Sequence, residues 1–424
     1  MAKNHKIKRY NNIYRVSGKR KAAKTAGILL LVGLLAAVGW FLYPPVYDFI
    51  LSYGQAGKVP LPPEPSESSS LSQQPSSGSQ SETLPPAQEP DEGQLKMAYV
   101  PHNVAANAAT LDSYINALPK GYINTVVLDL KNQQGQVLYA TGVAAATRSK
   151  AVVADAYSLA DVVQHFKAAG IQVVGRFWAF KDHYAPLALY DASVKYLGTE
   201  YNWLDNSVES GGKPWLNPHH PEAQQYLLSL VDESLNAGVS GIVMAGVQFP
   251  EGYSLEKADY GTTAPRSEAL AAFMAKVQQQ VAAKDGIGCW GYFSAPTLLA
   301  PPEGKLGPYG ESLTTLTRSA GLIVEVMPAL FGAELALPGG PAIAAPITKP
   351  YETVKAVLAA AGVDGSGQPV VPVVQAYTQQ GYAAAYNLTY TKAQVDAQLK
   401  AAAEQGLESG YLLYSPTGDY ALLR

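Results

Sequence analysis

Cysteine is nearly missing. Cys289 is the one thiol in 424 residues, so a disulfide framework, a Cys-x-x-Cys redox pair and a multi-thiolate zinc site are all excluded. It lies within an apolar run and reads as a core residue. Histidine is also sparse, with one adjacent pair in PHHPE at 218–222. Pro221 follows that pair, so it reads as the lead-in turn of a helix rather than a metal site. No Gly-x-Ser-x-Gly elbow and no Walker loop occurs. Six-residue GVDGSG at 362–367 precedes a strand-like run instead of following one, which makes it a turn. No cofactor and no metal is expected.

Charge is scarce and unevenly placed. Residues 1–24 hold nine Lys or Arg and no acid, which leaves the remainder at a net −12. Residues 25–47 then carry no charge at all, and AGILLLVGLLAAVGWFLY is near the length that crosses a bilayer as a helix. Trp40, Tyr43 and Tyr47 gather at its far end, as an interfacial belt would. The expectation is a single-pass anchor with a cytoplasmic N-terminus, and everything beyond it extracellular at the cell membrane. A cleaved signal peptide is the rival reading, disfavoured by a long basic region and a poor small-residue pattern near 52–57. The basic tail is then explained by topology and anionic lipid, so no nucleic-acid partner is expected.

Residues 48–94 form a Pro-, Ser-, Glu- and Gln-rich stretch without apolar periodicity, expected to be a disordered tether. From 95 to 424 the pattern changes. Eight continuous apolar runs recur, at 97–101, 125–130, 171–180, 241–249, 287–294, 322–330, 369–378 and 409–415. Continuity rather than alternation marks strands covered on both faces. Helical stripes separate them. Leu111, Tyr114, Ile115 and Leu118 share one face, as do Leu159, Val162, Val163 and Phe166, with Gly170 placed to end that helix. Leu227, Leu230, Val231 and Leu235 form another stripe, as do Leu270, Phe273, Met274, Val277 and Val281, and TKAQ at 391–394 reads as a capping box. The expected fold is α/β, a (β/α)8 TIM barrel preceded by one transmembrane helix and a disordered linker. A doubly wound open sheet is the alternative, weakened by the absence of a Gly-rich fingerprint after the first strand.

Several segments carry a family likeness. They are VVLDLKNQQGQVLY at 126–139, GIQVVGRFWAFKD at 170–182, NWLDN with KPWLNP at 202–206 and 213–218, VVQAYT at 373–378 and GYLLYSPTGDY at 410–420. In that order the domain resembles a glycoside hydrolase family with an amylase-like barrel, found mainly as secreted or membrane-anchored bacterial proteins. The resemblance implies action on a poly- or oligosaccharide of the cell surface. The departures fall at the chemistry. The family's fourth strand ends Phe-Asp-Tyr-x-Arg-Phe-Pro, whereas MAGVQFP here puts Ala245 in the place of the Asp and Gln248 in the place of the Arg. CWGYFSAPT at 289–297 has no acid where the family tends to carry one, and VEVMPALFG loses the usual Tyr-Pro-Ser-His continuation.

Glycosidic cleavage by the usual route needs two carboxyl groups, about 5–5.5 Å apart in retaining and 6.5–9.5 Å apart in inverting enzymes. Ala245 supplies neither. Glu325, Asp129 and Asp182 are the catalytic candidates left. Each also has a structural reading: Asp129 as partner of Lys131, Glu325 as an inward carboxylate paired with Arg176, Asp182 as a loop anchor. Asp205 reads as solvated. For sugar binding the candidates are Arg176, Lys181, Trp178, Trp203, Trp215, Gln375, Tyr377 and Tyr414, which sit at strand ends or in the loops after them, where barrel ligands bind. Trp178 and Tyr414 equally suit layers of the barrel interior. Three functions follow: a glycosidase-like barrel that binds glycan without cleaving it, an active hydrolase using Glu325 with Asp129 or Asp182, or an interaction module of the cell envelope.

Overall fold

The computed structural model describes residues 94–299, 320–365 and 367–424. The basic tail, the apolar run at 25–47 and the linker lie outside the described residues, apart from Gln94. Among the described residues no helix is long and apolar enough to cross a membrane.

Each apolar run forms a strand: β1 Leu95–Val100, β2 Thr125–Lys131, β3 Gln172–Trp178, β4 Gly241–Ala245, β5 Gly288–Phe293, β6 Gly321–Glu325, β7 Val370–Gln375 and β8 Gly410–Tyr414. All neighbours pair in parallel, and β1 pairs with both β8 and β2, which closes the ring. Val, Ile and Leu dominate these strands because both faces are covered. A helix follows each of the first seven: α1 Ala108–Ala117, α2 Leu159–Ala168, α3 Pro221–Asn236, α4 Arg266–Ala282, α5 Ala295–Leu299, α6 Pro350–Ala361 and α7 Lys392–Ala403. The fold is therefore a closed eight-stranded parallel barrel ringed by helices. The open-sheet alternative fails on the β1–β2 pairing.

Local signals act as the residue types dictate. Ser158 caps α2 through Asp161 N, and Thr391 with Gln394 completes the capping box of α7. His220 caps α3 ahead of Pro221, which accounts for the histidine pair. Gly362 ends α6 in the left-handed region. The hairpin expected after β2 is present as Val137–Tyr139, and it pairs onward with a further strand, Val152–Tyr157.

Alternation along the strands sorts two cores. Outward residues such as Val126, Leu128, Val173, Phe177, Ile242, Met244, Cys289 and Phe293 pack under the helices. Inward residues Met97, Val127, Val174, Val243, Ile323, Val371 and Leu412 fill the barrel. The interior is a packed plug up to its last layer, so any chemistry must sit above it, at the C-terminal mouth.

Candidate active site

The last inward position of each strand faces that mouth. Counting from β1, the residues are Tyr99, Asp129, Arg176 with Trp178, Ala245, Tyr292, Glu325, Gln375 and Tyr414. Asp129 and Arg176 are register partners across β2 and β3. Arg176 Nε donates to Asp129 Oδ1 at 2.6 Å, and Nη2 donates to Oδ2 at 2.9 Å. Tyr99 OH donates to the same Oδ2 at 3.1 Å. The guanidinium lies between two rings, 5.2 Å from the centre of Tyr99 and 5.1 Å from that of Tyr292. Tyr292 OH donates to Glu325 Oε1 at 2.5 Å, and Ala295 N donates to Oε2 at 3.3 Å. Tyr99 stacks on Tyr414 at 5.1 Å, Tyr414 meets Tyr377 edge-on at 6.1 Å, and Trp178 tilts against Tyr292 at 6.3 Å. The result is one continuous band of rings and charges around the mouth.

Burial sets the protonation of this band. Desolvation alone would lower the pKa of Arg176, yet the Asp129 carboxylate overrides it and the net shift is upward. Burial raises the phenols of Tyr99 and Tyr292, reinforced by Asp129 and Glu325 respectively. Burial likewise pushes Tyr377 to about 12 and Tyr414 upward. At neutral pH these hydroxyls are donors, not phenolates.

Two ion-pair expectations are corrected. Asp129 pairs with Arg176, not with Lys131. Lys131 Nζ instead stands 3.0 Å from Asp182 Oδ2, both side chains being fully buried, and donates to the carbonyls of Trp178 and Ala179. Burial lowers the Lys131 pKa and Asp182 opposes that shift. Glu325 accordingly has Tyr292 and a backbone amide as partners rather than Arg176.

Asp182 stands apart from the mouth band. It has no solvent exposure, and its Oδ1 accepts from Tyr184 N and Ala185 N. Gly135 of the hairpin closes over it, where an added Cβ would lie 2.3 Å from Oδ1. This is the geometry of a loop anchor.

Trp203 and Trp215 are also corrected. Both are completely buried, with indole N–H groups donating to Ser254 O and to Asp205 Oδ2. Neither offers a face to a sugar. Asp205 is only partly solvated and is committed to the loop, since it also accepts from Lys213 N at 2.7 Å. Lys181 binds Glu251 at 2.9 Å and lies over the Trp215 ring. Gln375 is buried and committed, accepting from Ala329 N and donating to Tyr377 O. Trp178, Tyr377 and Tyr414 remain half-buried in the mouth, with Arg176 and Glu325 beside them. Tyr99 belongs to the same band and was not among the expected residues. Its inward parity on β1, with Met97 two residues before it, is the signal that identifies it.

Ala245 occupies its expected register, between Trp178 of β3 and Tyr292 of β5. Gly246 then turns away at φ 59°, and a Cβ there would stand 3.2 Å from Trp178 Cε3. The Trp178 ring thus takes space that a larger side chain on this turn would need. A two-carboxylate mechanism has no group at this strand end.

Among the described residues no group of three or more His, Cys, Asp and Glu could hold a metal. A cavity of about 650 Å³ opens at the opposite end of the barrel, against Leu95, Ile287, Gly288, Trp290 and Gly321. None of its lining residues carries a carboxylate or belongs to the mouth band, so size does not make it the better site.

No curated protein matches this sequence. Among solved structures, a hypothetical protein from Ruminiclostridium thermocellum ATCC 27405 is 23% identical over 43% of this chain and 92% of its own, with a TM-score of 0.38. Ega3 from Aspergillus fumigatus, solved in complex with galactosamine, is 12% identical over 78% and 94% of the two chains, with a TM-score of 0.37. Alpha-L-fucosidase isoenzyme 2 from Paenibacillus thiaminolyticus is 12% identical over 78% and 48%, with a TM-score of 0.47. A family match covers residues 97–420, nearly the whole barrel, and on that match the chain belongs to the family described as "Putative glycosyl hydrolase domain".

Proposed function

We propose that this chain is a glycoside-hydrolase-like barrel that binds a saccharide of the cell surface at its C-terminal mouth and does not cleave it. Ala245 carries the reading. It sits inside the mouth, fully buried, in the strand position that the family resemblance assigns to the catalytic Asp. The acids nearby do not replace it. Asp129 spends both oxygens on Arg176 and Tyr99, and Asp182 is buried beside Lys131. Glu325 is left as a single carboxyl group, and one such group cannot both protonate a leaving oxygen and attack or activate water. The half-buried rings of Trp178, Tyr377 and Tyr414 suit the apolar C–H faces of a sugar, while Glu325 and Arg176 suit its hydroxyls. In this proposal residues 25–47 anchor the chain in the cell membrane with the barrel outside.

A second reading rests on a specific contact chain. Tyr292 links Glu325 to the Arg176–Asp129 pair through a hydrogen bond and a cation–π contact. A ligand that drew Arg176 away would leave Asp129 free to act with Glu325 as a hydrolytic pair. An envelope interaction module is the third reading, favoured if no saccharide binds.

The test is incubation of the full-length chain with α-glucans, peptidoglycan and other wall polysaccharides, scored for retention and for released reducing ends. Retention without release is expected. Release that disappears in Glu325→Gln or Asp129→Asn would overturn the binding-only reading in favour of the hydrolase.

A further inference from the structure

Beside the band described above, on the β1–β2 side of the mouth, stands a polar group that none of those contacts uses. His102 lies directly after β1 and Pro101, and Tyr157 ends the strand that extends the β2 hairpin. Their ring centres are 5.7 Å apart at 36°. His102 Nε2 stands 3.0 Å from Asp155 Oδ2, but without hydrogen-bond alignment, so among the described residues neither ring nitrogen has a hydrogen-bond partner. The Tyr157 side chain is more than nine-tenths buried, and its hydroxyl also has no partner among the described residues. Burial raises its pKa, with Asp129 and Tyr99 adding to the effect. The hydroxyl is therefore close enough to the Asp129 end of the band to feel its charge, and it stays protonated at neutral pH.

A buried hydroxyl without a partner costs free energy that a folded protein usually recovers. Here the same region holds an imidazole whose Nε2 faces Asp155 and whose Nδ1 has no hydrogen-bond partner among the described residues. Asp155 and Asp129 flank the pair, which disfavours an anionic ligand and suits a neutral one. A sugar hydroxyl matches that demand, because it donates to one group and accepts from the other.

We propose that His102 and Tyr157 form a hydroxyl-recognising subsite, with Asp155 behind the imidazole, that positions one neutral sugar unit next to the Asp129–Arg176 pair. This rests on the saccharide reading above. It adds specificity residues beyond the β1–β2 end of the aromatic band, outside Tyr99 and Asp129.

The experiment titrates maltoheptaose, cellohexaose and chitohexaose separately into the full-length chain and into Tyr157→Phe, His102→Gln and Glu325→Gln, with melting temperatures recorded for each. For whichever oligosaccharide the wild type binds, Tyr157→Phe is expected to raise Kd about five- to tenfold, the effect of one hydrogen bond between uncharged groups. Its melting temperature should hold or rise, since Phe removes an unpartnered buried hydroxyl. His102→Gln should also weaken binding, by losing the ring geometry. Unchanged Kd in both variants, with binding lost in Glu325→Gln, would overturn the subsite and leave the saccharide reading intact. A fall in melting temperature that accounts for the weaker binding would make the pair structural and overturn the subsite too. No binding of any of the three by the wild type would take down the subsite and count against the saccharide reading together.

Discussion

Asp129→Asn is the perturbation that best tests how the mouth is held together. Arg176 is 7% exposed, and its charge is balanced by two hydrogen bonds of 2.6 and 2.9 Å to one carboxylate. Removing one partner of such a buried pair costs about 3–5 kcal/mol, because the remaining charge stays out of water. The amide oxygen of Asn still accepts one N–H, which places the expectation near the low end, about 3 kcal/mol. For a barrel of about 330 residues that corresponds to a fall of roughly 4 °C in melting temperature. The double variant Asp129→Asn with Arg176→Met should recover part of the loss, since it removes the stranded charge as well. Urea unfolding of the two single variants and the double variant gives the coupling directly. A loss below about 1 kcal/mol for Asp129→Asn would refute the reasoning, because pairs of such small worth are solvent-screened ones.

Other outcomes follow from the same contacts. Trp203→Ala should cost about 3–5 kcal/mol, since it empties a completely buried site and strips a donor from Ser254 O, and calorimetry rather than a binding assay will register it. A binding defect at unchanged melting temperature would mean that the indole reaches ligand. On the alkaline side, Tyr99, Tyr292, Tyr377 and Tyr420 all have phenols raised by burial, Tyr377 to about 12. Between pH 10 and those higher values the unfolded chain has lost protons that the fold retains, so these phenols leave stability unchanged below pH 10 and lower it above. A melting temperature that does not fall between pH 10 and pH 12 would contradict that. A chain limited to residues 95–424 should be soluble and unfold cooperatively, because β1 begins at Leu95 and closes the barrel against β8. Insolubility relieved only by detergent would place the domain boundary elsewhere.

The barrel was legible because every strand is a continuous apolar run and every connecting helix that was read has a stripe, a cap or a stop glycine. What escaped were facts decided by a single backbone irregularity or by a loop folded onto the main core. Simple alternation turns Lys131 to the same side as Asp129, which made the two look like a pair. The register shifts between them in β2, so Lys131 meets Asp182 while Asp129 keeps Arg176. Trp203 and Trp215 looked like sugar platforms because they fall in a long segment after β3. That segment folds onto the core outside the barrel: Lys195–Tyr196 pairs with Ala258–Asp259 of the loop after β4, Ser193 bridges to Leu216, and both indoles are enclosed within that core. Tyr99 was passed over for the opposite reason. It sits within a strand rather than beyond its end, so its parity with Met97, not its place relative to the loops, marks it as facing the mouth.

The arrangement of charge bears on what such a mouth can catalyse. Glycosidic cleavage passes through a state with positive charge on the sugar ring, and an active site must offer unspent negative charge there. Here a buried guanidinium occupies the β3 side of the mouth, and the nearest carboxylate, Asp129, is consumed in neutralising it. β4, where the family resemblance places the nucleophile, contributes a methyl group, and the turn after it has room for glycine beside Trp178. An Ala245→Asp reversal therefore meets two obstacles: a new carboxylate would enter a fully buried layer, and its nearest cross-strand neighbours would be Trp178 and Tyr292, whose ring faces do not solvate an anion. The expected outcome is a destabilised protein without hydrolysis on any polysaccharide that the wild type retains. Hydrolysis gained by this one change would show that the mouth otherwise holds a working catalytic frame, and that on the binding-only proposal a single carboxylate at this strand end is all it lacks.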